Sequence, residues 1–160
     1  MSNPSTSTVD LAHLFDAVVR FVSESPVNAV VAENGRAGEY LGDGEGMASG
    51  ERVRGTVNFS FYSGNCLYPQ IRSGVAVPKR LHLCTINPGG YIHTDDGARI
   101  EFDGNGYGLR SPERYRVSMT LTFRTDDERY AWLNRILGAM VGDFDEKTGR
   151  ATWHVYVPTQ

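Results

Sequence analysis

After Val27 the chain is a succession of short β-branched or aromatic runs broken by Gly, Pro, Asn or Asp: VNAVVAE, VRGTVNFSFY, KRLHLCTI, GYIHT, ARIEF, YRVSMTLTFRT, ILGAMVGDF and RATWHVYVP. With GEYLGDGEGMAS added, about nine candidate strands follow one another. Several alternate strictly. Val117, Met119, Leu121 and Phe123 share one face and Ser118, Thr120, Thr122 and Arg124 the other, while Trp153, Val155 and Val157 oppose Thr152, His154 and Tyr156. Such alternation belongs to antiparallel strands with one buried face, and this many of them without crossover helices predicts a closed barrel or a sandwich.

The chain is long enough, at 160 residues, to bury a core without disulfide or metal support. Its 18 glycines and 7 prolines suit a turn-rich β protein. The net charge is −3, and Lys and Arg are scattered singly or in short pairs, which disfavours a nucleic-acid partner. Cys66 and Cys84 are too few for a disulfide framework and agree with a reducing cytoplasm. The first apolar segment is interrupted by His13, Asp16 and Arg20, so neither a signal peptide nor a membrane span is expected.

Two helices are expected. Leu11, Leu14, Phe15, Val18, Val19 and Val22 recur at helical spacing, with Ser7 and Asp10 as a capping box and Pro26 just past the end. Residues 1–26 then form a tail and an amphipathic helix that plugs or lids a barrel of residues 27–160. A second helix is signalled by Thr125 and Glu128 at capping-box spacing, Asp126 and Asp127 in the first turn, and Gly138 at the end. Tyr130, Leu133 and Leu137 share one face of it.

The segments TDDGARIEF, FRTDD, YAWLN, GAMVGDF and VYV, in that order, resemble the bacterial domain-of-unknown-function family numbered 3237. The resemblance spans roughly Gly42 to Val157, is strongest at Thr94 to Gly97 and Tyr130 to Asn134, and extends to the glycines of GEG and RG at Gly44 to Gly46 and Arg54 to Gly55. It implies a small up-and-down β-barrel, of the lipocalin kind, with a Tyr-x-Trp-Leu-Asn segment near its C-terminal end. The N-terminal helix departs from that pattern, and no reaction comes with the family's name.

The densest accumulation of chemical residues is HTDDGARIEFDGNGYGL, His93 to Leu109. An EF-hand starting at Asp103 would place Arg114 where a bidentate Glu is required, so it is excluded. GNGYG leads to Ser-Pro rather than to a helix that would hold phosphate, and is expected to be a bend before the next strand. Asp95-Asp96-Gly97 reads as a hairpin corner with Gly97 left-handed, pairing His93 with Arg99 and Ile92 with Ile100. His93, Arg99 and Glu101 then share a face that is either solvated or, in a polar lumen, the active site. His82 and Cys84 fall on the same side of one strand but match no zinc pattern.

General acid-base chemistry has three candidates: Glu45, set between Gly44 and Gly46 where a ligand can approach, together with His93 and Glu101. Against this, the simpler reading of Glu45 is an exposed strand residue whose flanking glycines mark bulges. Tyr68, Tyr130, Trp132 and Asn134 are the candidate substrate contacts, although Trp132 and Leu133 otherwise cap the core and Asn134 bonds loop backbone. The expected function is a cytoplasmic small-molecule-binding barrel, acting as a cofactor-free isomerase, cyclase or lyase on a largely apolar organic substrate. The alternatives are a ligand carrier or sensor, or a structural barrel without a cavity. No cofactor, metal, nucleic acid or membrane partner is expected, and self-association stays open.

Overall fold

The computed structural model describes residues 8–22, 28–30, 38–63, 82–110, 114–145 and 147–159. Among the described residues there are ten strands: β1 Leu11–Phe21, β2 Asn28–Val30, β3 Gly38–Ser49, β4 Gly55–Ser63, β5 His82–Ile86, β6 Gly89–Thr94, β7 Arg99–Arg110, β8 Tyr115–Arg124, β9 Leu137–Asp145 and β10 Arg150–Pro158. All pairings are antiparallel. Eight strands close the ring in the order β1, β3, β4, β6, β7, β8, β9, β10, with β10 returning to β1. β2 adds to the early part of β3. β5 and β6 both lie between β4 and β7, as one strand interrupted at Asn87 and Pro88, where proline has no N–H to give a ladder. Each ring strand neighbours the next in sequence, which is the up-and-down arrangement.

The alternating pattern of the sequence decides which side chains enter. Val117, Met119, Leu121 and Phe123 of β8 are buried, as are Trp153, Val155 and Val157 of β10. The TDDG corner forms as its chemistry requires: Gly97 has φ 91°, Ile92 pairs with Ile100, and His93 pairs with Arg99. Thr94 and Ala98 close the loop, with the Thr94 N–H donating to the Ala98 carbonyl at 2.9 Å.

Three expectations are corrected. The first segment is a strand, not a helix: β1 pairs with β10 over Leu11 to Arg20 and with β3 over Asp16 to Phe21, so residues 11–21 belong to the barrel wall. Its register shifts between His13 and Phe15, making Leu14 a bulge. Phe15, Ala17 and Val19 then face inward while Val18, 49% exposed, faces out. The bulge and the outward Val18 together mimic helical spacing. Ser7 and Pro26, its supposed caps, lie outside the described residues.

Second, the helix near Tyr130 is one short 3-10 turn, Ala131–Arg135, and Leu137 already belongs to β9 and is exposed. Thr125 makes no capping box. Its hydroxyl donates to the Arg99 carbonyl at 2.8 Å and accepts from the Asp127 N–H at 3.2 Å. Third, GNGYG is not a bend. β7 runs through it, paired with β8 from Glu101 to Arg110. Gly104, Gly106 and Gly108 continue the inward phase of Ile100 and Phe102.

Candidate functional site

The barrel interior carries a cluster of buried side chains at one end and a cavity at the other. At the first end, the 3-10 turn follows β8 and precedes β9, and its Leu133 is buried with Tyr130, Leu14 and Val53. Asp96 of the hairpin corner ties this end together: it accepts from the Thr94 hydroxyl, from the Tyr130 hydroxyl at 2.9 Å and from the Arg129 guanidinium at 3.0 Å. These donors hold its carboxyl below the usual carboxylate range, the Thr94 bond most of all. Burial, with the Asp96 charge beside it, pushes the Tyr130 phenol up.

At the opposite end, where β1 and β4 finish and β8 and β10 begin, Phe21, Phe59, Phe61, Tyr115, Val117, Met119, Phe144, Ala151 and Trp153 enclose a cavity of about 280 Å³. The rings form one connected cluster. Phe21 meets Phe59, Phe61 and Phe144 edge-on at centroid distances of 5.8, 5.6 and 5.2 Å, and Phe59 lies 4.9 Å from Trp153. Tyr115 joins through Phe144 at 5.7 Å. Among the described lining residues, Tyr115 contributes the one ionisable side chain. Such a surface favours an apolar occupant and penalises a charged one.

The residues singled out in the sequence do not converge here. Glu45 faces outward from β3 and pairs with Arg20 at 2.9 Å, because Gly44 takes the inward position of that strand. His93 and Arg99 are exposed on the outer face, and Glu101 lies beside them, 3.7 Å from Arg124. A charged face is thus solvated, and three acid-base candidates stand outside the lumen. Tyr130, Trp132 and Asn134 lie at the closed end. Trp132 carries the Arg52 guanidinium 3.6 Å above its ring, and the Asn134 amide brackets the Thr125 backbone with two bonds of 2.9 Å. Tyr68 and Cys66 fall outside the described residues.

The cavity residues were missed because no motif links them. Phe21, Phe59, Phe61, Tyr115, Phe144 and Trp153 come from five strands, and the signal that joins them is the inward phase of each. One outward cluster also escaped notice: Asp16 Oδ1 lies 2.9 Å from His13 Nε2 and 2.7 Å from His154 Nδ1. Among the described residues, no group of three or more His, Cys, Asp or Glu is arranged to hold a metal ion. No helix among them is long and apolar enough to cross a membrane.

Solved structures share the architecture. A β-barrel-like protein from Acinetobacter baumannii AYE is 20% identical, covers 99% of this chain and 100% of its own, and has a TM-score of 0.65. A protein of unknown function from Clostridium acetobutylicum ATCC 824 is 15% identical over 97% of this chain and 100% of its own, with a TM-score of 0.66. An enzyme from Penicillium herquei is 16% identical over 96% and 99%, with a TM-score of 0.50. At these identities the likeness shows the fold alone. No curated protein matches the chain. Residues 45–157, well over half the length, match the family described as protein of unknown function (DUF3237), and the chain belongs to that family.

Proposed function

We propose that this barrel binds a small, largely apolar organic molecule in the cavity between Phe21 and Trp153. The observation that carries the reading is the cavity itself, about 280 Å³ walled by aromatic and aliphatic side chains inside a closed sheet. Empty space of that size loses packing that a side chain would otherwise supply, and a complementary occupant restores it. A barrel filled throughout by side chains does not fit that hollow.

Binding as a carrier or sensor is favoured over turnover by acid-base chemistry. Glu45, His93 and Glu101 stand on the outer face, and the described lining offers a phenol at Tyr115 but no carboxylate or imidazole. A cofactor-free isomerase, cyclase or lyase would have to polarise its substrate through that phenol and fold it against the rings. The test uses Trp132→Phe as background, which leaves Trp153 the single tryptophan. Titration with an uncharged apolar probe should quench Trp153 emission saturably, and native mass spectrometry should show a one-to-one adduct. A linear, non-saturating response to every apolar probe, with no adduct, would remove the reading.

A further inference from the structure

Three glycines of the inward phase stand against three large side chains of the cavity. Gly44 is the register partner of Phe59, and a Cβ there would overlap the Phe59 ring. On β7, a Cβ at Gly104 would lie 2.8 Å from Met119 Sδ, and one at Gly108 would lie 2.5 Å from the Tyr115 hydroxyl oxygen. Real side chains do not pack so closely. Phe59, Met119 and Tyr115 therefore lean back against the wall into space that glycine leaves, and in doing so vacate the lumen.

We infer that these glycine notches fix the size and class of the occupant as an uncharged, flat aromatic molecule of about two fused rings. The inference rests on the reading of the cavity as a ligand site. Size follows from volume: about 150 Å³ of dry apolar cavity is enough for benzene, and this cavity is close to 280 Å³. Neutrality follows from the described lining, among whose residues an ion would lose its hydration without a partner of opposite sign. Flatness follows from the walls. Phe21 packs edge-to-face on Phe61 and Phe144, and Phe59 lies tilted on Trp153; an aromatic occupant extends that geometry, whereas an alkyl chain gains from area alone.

The test titrates the full chain calorimetrically with 2-naphthol, 2-naphthoate and 1-decanol. 2-Naphthol should bind saturably, at least about tenfold more tightly than the other two. Gly44→Ala and Gly108→Ala, checked for folding by circular dichroism, should each weaken 2-naphthol about tenfold, as Phe59 or Tyr115 is pushed into the lumen. Phe59→Leu supplies the complementary readout where an alanine variant does not fold: it enlarges the cavity and should shift preference toward a three-ring phenol. Tight binding of 1-decanol with none of 2-naphthol overturns the assigned class and leaves the ligand-site reading standing. Binding of none of the three overturns both. Unchanged affinity in folded Gly44→Ala and Gly108→Ala, or unchanged preference in Phe59→Leu, overturns the role of the notches.

Discussion

Glu45 leaves the barrel because strand geometry gives alternate residues to opposite faces, and the register of β3 puts Gly44 and Gly46 in the inward phase. Its ion pair with Arg20 is solvent-exposed on both sides, and such pairs contribute about 0–1 kcal/mol. Glu45→Gln should therefore lower stability by less than about 1 kcal/mol and leave the affinity for an apolar probe unchanged, measured by urea unfolding and by titration. A large loss of affinity would return Glu45 to the site. The two tryptophans should separate just as sharply. Trp132 sits under Arg52 at the closed end, so Trp132→Phe should not alter probe binding, whereas Trp153 is 4% exposed and forms the cavity wall. Trp153→Ala should cost about 3–5 kcal/mol in unfolding free energy and abolish saturable binding. Equal effects from the two substitutions would contradict the placement of the cavity.

Among the elements, β8, β10 and the β6–β7 hairpin were legible because each carries an uninterrupted period of two, or a turn with one acceptable chemistry. β1 was not, for a physical reason. The Leu14 bulge shifts the phase, and residues three apart, which a regular strand sends to opposite faces, come together on one: His13 and Asp16 both point out and bond. With Val18 apolar but outward, the run then reads as a helix. β7 was misread in the opposite sense. Glycines at 104, 106 and 108 suggest a bend until the neighbouring strand is known to fill the positions they leave. The cavity was illegible for the same reason, being a product of several strand phases at once. β1 offers a direct test, since a helix buries both Val18 and Val19 while the strand buries one. Val19 is 1% exposed, and Val19→Ala should cost about 2 kcal/mol. Val18→Thr, which keeps the β-branch on the outer face, should change stability by no more than about 0.5 kcal/mol. Equal losses in thermal unfolding would restore the helix.

At the scale of the molecule, the barrel carries a set of exposed or half-buried carboxylates whose partners hold them charged. Asp16 accepts from His13 and His154, Asp96 from Thr94, Tyr130 and Arg129, Asp127 from Arg129, Asp143 from Arg114, and Asp145 from the turn that follows β9. Hydrogen bonds are the leading cause at every one, and all five lie below the ordinary value of 3.8. A carboxyl depressed in the folded chain binds its proton more readily when unfolded, so in that range stability rises with pH. The contribution is complete above the unfolded value and is lost as pH falls through the folded one. Stability should thus be level from neutral pH down to about pH 5 on account of these groups, and should fall below about pH 4. Exposure to solvent keeps each contribution small, so the slope arises from the set. The double variant Asp96→Asn and Asp143→Asn should be less stable than the parent at neutral pH and should lose less on acidification, so that the two urea midpoints converge by about pH 2. These carboxylates join β1 to β10, β8 to β9 and the hairpin corner to the segment before the 3-10 turn, so their protonation loosens the wall at several seams together. A gap between the midpoints that stayed constant from about pH 7 to about pH 2 would show that the lost stability was packing and not charge.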